Sequence, residues 1–274
     1  MRVSRGLSWL GFAAVLSTSS AVALAQPAAT QPGGGPDPAP AGDPEAAPGV
    51  VITELMYNPI SGEGYQPDPE TEPDRRAIPN RVEYVELYNA GDRPVDLRGW
   101  RLRDEDGSTG PIPPGPPMPP GGVVLLIPHE QLEADFRAAW GLARPTRVVR
   151  LTAWGPEGLN NLANSPSDKN EILDLVASDG VLVDRVNYDD DSPWPADGRG
   201  GPSIYLLPTV FGPNADPALS NDDGTAWRNS ADGVLGGRTA QSGGFYRQGD
   251  VGSPGFVPAK APESSEAEAP APTE

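Results

Sequence analysis

The chain has 274 residues, with 38 acidic against 20 basic side chains for a net charge of −18, one histidine and no cysteine. The missing cysteine excludes disulfides, a thiol nucleophile, thiolate-bound zinc and a lipidated N-terminal cysteine. So acidic a field repels phosphate backbones, which argues against direct nucleic-acid binding, while it favours solubility and attracts cations.

Residues 1–25 read as a secretory signal. Arg2 and Arg5 form a positive start, "LSWLGFAAVLSTSSAVAL" an apolar run, and Ala23-Leu24-Ala25 a cleavage site that places the mature start at Gln26. Without Arg2 and Arg5 the mature form carries 18 basic against 38 acidic residues, a net −20. No later stretch is long and apolar enough to span a bilayer. The expected product is a soluble protein that is secreted, whether extracellular, periplasmic or at the cell surface. Export without disulfides leans towards a bacterial source.

Residues 26–49 are rich in Pro, Ala and Gly and have almost no large apolar side chain, the composition of a disordered linker. Residues 257–274 have the same character with more glutamate, and are expected to form a disordered acidic tail. Between them lies one folded unit, residues 50–256, in which no repeat recurs.

The elements of that unit are mostly strands. "VVITELMY" and "VEYVELYN" alternate, and "PVDLRGWRLRD" alternates until Gly99, where a phase slip predicts a bulge that turns Trp100 towards the core. "GGVVLLIP" is the continuous apolar run of a strand covered on both faces. "HEQLEADFRAAWG" predicts one helix with a stripe of Leu132, Phe136, Ala139 and Trp140 and a stop at Gly141. After "TRVVRLTAW", Asp179-Gly180 divides "EILDLVASDGVLVDRVNY" into a hairpin, and "SIYLL" and a segment around Trp227 complete the series. Short strands with Gly, Pro, Asn and Asp turns predict an all-β fold, an Ig-like β-sandwich with one short helix insertion and disordered tails. The connection over residues 61–80 is long for a hairpin loop, either a functional loop or a surface insertion.

Taken in order, "VVITELMYNP", "EYVELYNAGDRPVDLRGWRLRD" and "PPGGVVLLIP" resemble the opening strands of the lamin tail domain family, in its bacterial secreted type. "DDDSPWPADGRGGPSIYLL", "TAWRNS" and "GSPG" resemble its later elements, so the likeness runs over about residues 50–256. Two departures are Thr53-Glu54, where the family commonly has Asn-Glu, and the long 61–80 connection. The resemblance implies an Ig-like sandwich in a secreted or surface protein. No enzymatic domain is expected beside it, and no heptad run in these residues supports filament assembly through a coiled coil.

Chemistry could reside in few places. Glu54 and Glu86 lie in strands; as an acid–base pair they would have to share a cleft with pKa values pushed apart. The alternative is that they accept backbone hydrogen bonds or pair with arginine and fix register near the sandwich edge. His129, at the junction of a strand and the helix, would have to serve any Ser-His-Asp triad, and no Gly-x-Ser-x-Gly elbow accompanies it. No catalytic residue and no required cofactor is therefore expected. The metal that would suit this chain is calcium, with loop oxygen ligands from Asp189, Asp190, Asp191, Asn221, Asp222 and Asp223, or from Asp104, Glu105 and Asp106; each run also has ordinary turn chemistry. Trp194, between Pro193 and Pro195, is the candidate ligand contact, and Trp100 and Trp140 fit core positions. The expected partner is an extracellular or envelope protein or a polysaccharide, with a calcium-dependent surface-binding module as one alternative and a carboxylate hydrolase as another.

Overall fold

The computed structural model describes residues 49–61, 82–155, 158–160, 162, 170–196, 201–212, 220–244, 246 and 249–256. The signal segment, the linker up to residue 48, nearly all of the 61–80 connection and the acidic tail lie outside the described residues.

Strands β1 (Val50–Met56), β2 (Tyr84–Asn89), β4 (Val123–Pro128), β5 (Arg147–Leu151), β8 (Ile204–Leu206) and β9 (Trp227–Asn229) make a six-stranded sheet in the order β5-β4-β2-β1-β8-β9. A three-stranded sheet, β3-β6-β7, joins β3 (Arg101–Arg103), β6 (Glu171–Val176) and β7 (Leu182–Tyr188). The two pack as an Ig-like β-sandwich. Their facing sides share one apolar core, with Ile52, Leu55, Leu87 and Leu126 from the large sheet and Leu102, Leu173, Leu175 and Val186 from the small one.

The large sheet is covered on its other side too. Helix α1 (Glu133–Trp140) and the C-terminal segment, residues 230–256, lay Phe136, Trp140, Ala240 and Tyr246 over Met56, Tyr84, Leu125 and Ile127. This double cover explains why β2 and β4 are buried along almost their whole length. Residues of alternate parity serve different cores: Val124 and Leu126 face the small sheet, Leu125 and Ile127 the helix.

The helix does more than interrupt the strands. Strands β4 and β5 pair in parallel while all other pairs are antiparallel, so α1 is the crossover between them. It closes at Gly141, which adopts the left-handed conformation (φ 57°) that glycine tolerates. Arg137 pairs with Glu133 one turn earlier and donates to the carbonyls of Ala143 and Thr146, tying the helix end to the start of β5. Leu132 departs from the predicted stripe. It precedes the helix and is 48% exposed, so only Phe136, Ala139 and Trp140 are buried by it.

Two further expectations are corrected. A second short helix, α2 (Pro208–Phe211), follows β8 where only one was predicted, started by a proline that needs no amide partner there. Trp100 is buried as predicted, but through a tight turn: Gly99 has φ 85° and the Trp100 amide donates to Leu97. The real bulge is in β1, between Ile52 and Glu54, where two residues stand against one of β2. The Asp179-Gly180 hairpin forms between β6 and β7, with the Ala177 amide donating to Val181.

Candidate functional site

The bulge sets the stage for the carboxylates. Val50 and Ile52 face the small sheet, and so do Leu55 and Tyr57, so parity slips by one at Thr53. Both Thr53 and Glu54 then serve the opposite face, where Glu54 stands directly across from Glu86. These are central strands of the large sheet, not its edge as expected.

Hydroxyls and backbone amides donate to both members of this pair. Glu54 Oε1 accepts from the Tyr84 hydroxyl at 2.5 Å, the Ser253 amide at 2.7 Å and the Ser203 hydroxyl, while its Oε2 accepts from the Ser253 hydroxyl at 3.0 Å. Glu86 accepts from the Thr53 hydroxyl at 3.0 Å and the Gly255 amide at 2.6 Å. Ser203 is linked onward to Ser230 at 2.8 Å. The C-terminal segment returns the grip: Asp250, itself fully buried, accepts from the amides of Ile60 (2.6 Å) and Ser61 (3.2 Å) just after β1. Approach this close requires Gly252, where a Cβ would sit 2.3 Å from the Tyr84 hydroxyl oxygen.

The electrostatics follow from enclosure. Glu54 and Glu86 are 1% and 4% exposed. Burial raises the pKa of Glu54 against the pull of its four hydrogen bonds. Burial and the facing Glu54 charge push Glu86 well above the ordinary glutamate value, with Arg238 and two hydrogen bonds opposing. Acid–base catalysis wants two carboxylates pushed in opposite directions beside a cleft. Here both move the same way and are sealed. The arrangement fastens residues 250–255 to the sheet. Nearby, Glu83 is also buried and accepts from the Trp154 indole at 2.8 Å.

The remaining candidates fall into place individually. His129 is exposed at the end of β4, its amide donating to Leu151 and its carbonyl accepting from Arg150. Asp189 caps its own turn by accepting from the amides of Asp190 and Asp191. Asp104 does the same for Asp106 and Gly107, and Glu105 accepts from the Ile172 amide. Asp223 caps a 3-10 turn (Gly224–Ala226) through Thr225. Among the described residues no group of three or more His, Cys, Asp or Glu side chains is placed to hold a metal. Trp194 lies in the core: it is 7% exposed, tilted against Trp227 with ring centroids 5.9 Å apart, and wedged against Gly224, where a Cβ would lie 2.7 Å from it.

Asn221 and Asp222 do converge with β7, on a residue the sequence reading passed over. Asp184 accepts from the Ile52 amide at 2.7 Å, beside the β1 bulge, and with both carboxylate oxygens from the side-chain Nδ2 of Asn221 at 2.8 and 2.9 Å. Asp222 accepts from the Asn187 amide. This clasp joins the two sheets where β7 would otherwise present an open edge. Burial, with the Asp222 charge nearby, pushes Asp184 up to about 6 despite its hydrogen bonds. The sequence signal was available, since Asp184 shares strand parity with the buried Val186 and Tyr188. On the small sheet, Asp174 is gripped by Arg103 and Arg185 at 2.7 and 2.6 Å, and those arginines hold its pKa below the ordinary value against partial burial.

The fold can now be set beside known proteins. No curated protein matches the chain. The family model described as Lamin Tail Domain matches residues 43–190, more than half of the chain, a range that runs from before β1 to just past β7. The sandwich built by those strands, carrying the motifs that resemble that family, agrees with this match: the chain belongs to the lamin tail domain family.

Proposed function

We propose that this chain is an exported, non-enzymatic lamin tail domain that works as an interaction module outside the cell or in its envelope. The observation that carries the reading is the fate of the paired carboxylates. The one facing acid pair on the central strands, Glu54 and Glu86, is sealed under the C-terminal segment, with its oxygens engaged by fixed donors. Such groups hold a fold and leave no room for a substrate between them. The N-terminal charge, apolar run and Ala-Leu-Ala site support export, and among the described residues no helix is long and apolar enough to cross a membrane. Binding would then fall to the loops and edges of the sandwich, with a protein or polysaccharide as partner.

Fractionation of the source cell with N-terminal sequencing tests the export half, and should recover a chain starting at Gln26 outside the cytoplasm. A hydrolase panel on the purified protein tests the other half and should be blank. A chain kept inside with its leader intact, or an activity lost in Glu54→Gln with unchanged melting, would overturn the proposal.

A further inference from the structure

Resting on the reading of the chain as an interaction module, we infer that the groove between the β2–β3 loop and the β6–β7 hairpin is its contact surface, and that it takes a protein segment pairing an apolar side chain with a lysine or arginine. The groove holds about 670 Å³, within the range of cavities that seat ligands. Its apolar part is formed by Val95, Trp100 and Val183 together with Val181 and Leu182 at the hairpin tip. Val181 is 53% exposed and Leu182 42%, although the core draws on Val186 and Tyr188 from the same strand and needs neither. Adjacent apolar side chains held in water beside a cavity mark a surface that a partner covers.

Charge decides which partner. Asp92 and Asp96 line one wall and Asp179 the other; Arg93, the cation among the lining residues, pairs with Asp92 at 3.7 Å, and Arg98 pairs with Asp96 at 3.3 Å from outside the lining, both pairs being largely exposed and therefore screened by water. Three carboxylates against the two guanidiniums of Arg93 and Arg98 still leave the groove with the sign of the whole chain, net −18. A cleft of one sign with apolar walls concentrates the opposite charge. A basic residue next to an apolar one satisfies both walls within one stretch of chain. An acidic segment or a nucleic acid meets repulsion at each.

The walls are also built in advance, which limits the ordering cost of binding. Val95 and Met118 exchange two backbone hydrogen bonds at 2.9 and 2.8 Å, fixing the loop. On the other side the Ala177 amide donates to Val181 at 2.8 Å, around a turn in which Gly180 has φ 89°.

The test is amide chemical-shift titration of the full chain with acetyl-Leu-Arg-Leu-Arg-amide, its counterpart with glutamate in place of arginine, and a peptide copying residues 26–48. The basic peptide should shift amides over residues 91–96 and 177–183, and bind at least about tenfold more tightly than the acidic one. Asp179→Asn, which keeps an Asn-Gly turn, and Leu182→Ser should each weaken it several-fold without changing the melting temperature by more than about 2 °C. Equal binding of the two synthetic peptides, or shifts on another face, would refute the assignment. Shifts in the groove caused by the 26–48 peptide would make its occupant the chain's own linker, and concentration-dependent shifts without peptide would make it a second copy; either refutes it as well. An exported chain whose envelope crosslinks map to a different face would retain the interaction-module reading and remove only this groove.

Discussion

Carboxylates do opposite work in two regions of this molecule. At the centre of the large sheet, Glu54 and Glu86 are desolvated, face each other and accept hydrogen bonds from the hydroxyls and amides around them. At the loop ends, Asp189 and Asp223 lie partly or wholly in water and serve turns within one or two residues of themselves. The first region converts burial into long-range fastening, across 199 positions between Glu54 and Ser253. The second holds local geometry that water would support almost as well. What sets a carboxylate's role is therefore how much solvent it has lost and how far along the chain its donors come from, rather than its residue type.

The sharpest way to break that contrast is to remove the central group. Glu54→Ala leaves the Tyr84 and Ser203 hydroxyls and the Ser253 amide without their acceptor, and should cost roughly 3–5 kcal/mol, a fall of about 10 °C in melting. Glu54→Gln keeps the shape and some acceptors and should cost less, about 1–2 kcal/mol. Amide exchange should show residues 250–255 loosening first in either variant. If Glu54→Ala melts like the parent, the fastening role is wrong.

A second prediction concerns pH. Glu54, Glu86 and Asp184 all have folded pKa values above their unfolded ones. The folded state then binds more protons, so their contribution is complete below the unfolded values and is lost as pH rises through the folded ones. Asp174, held low by its arginines, has the reverse sign: its contribution is complete above about 4 and is lost only as pH falls below that. Melting temperature should accordingly rise as pH is lowered from 8 to 5. For Asp184, moving from the ordinary 3.8 to about 6, the stake is on the order of 3 kcal/mol. Asp184→Asn should flatten the slope between pH 4 and 7. A melting temperature that falls steadily from pH 8 to 5 would contradict the burial argument.

The smallest effect belongs to the loops. Asp190→Asn and Asp222→Asn should each stay within about 0.5 kcal/mol of the parent, because neither side chain is buried and an asparagine at 222 can still accept from the Asn187 amide. Melting in millimolar calcium should match melting in EDTA. A shift of several degrees, lost in these two variants, would instead give the loops the ligand-holding role that their turn geometry argues against.

How much of this was legible beforehand depends on distance along the chain. Local pattern was sufficient for the strands, the Asp-Gly hairpin, the helix and its glycine stop, because these rest on neighbours within a few residues. It was sufficient for the sandwich and its family too, since the motifs recur in a fixed order. The phase slip in "VITEL" could have been read as a bulge, and the polar residue at a core parity in "LVDRVNY" as a clasp; both were written in the sequence and passed over. Other features have no local signature. The parallel pairing of β4 with β5, the burial of Trp194 against Trp227 and the meeting of Glu54 with Ser253 depend on segments that only the folded chain brings together.

The sequence by itself determined the class and most of the elements, because composition, parity and turn residues act over short range. Only the tertiary structure decided what the carboxylates do, because desolvation and hydrogen-bond partners are properties of the packed chain. The same glutamate in the same strand would be a surface charge if residues 250–255 lay elsewhere.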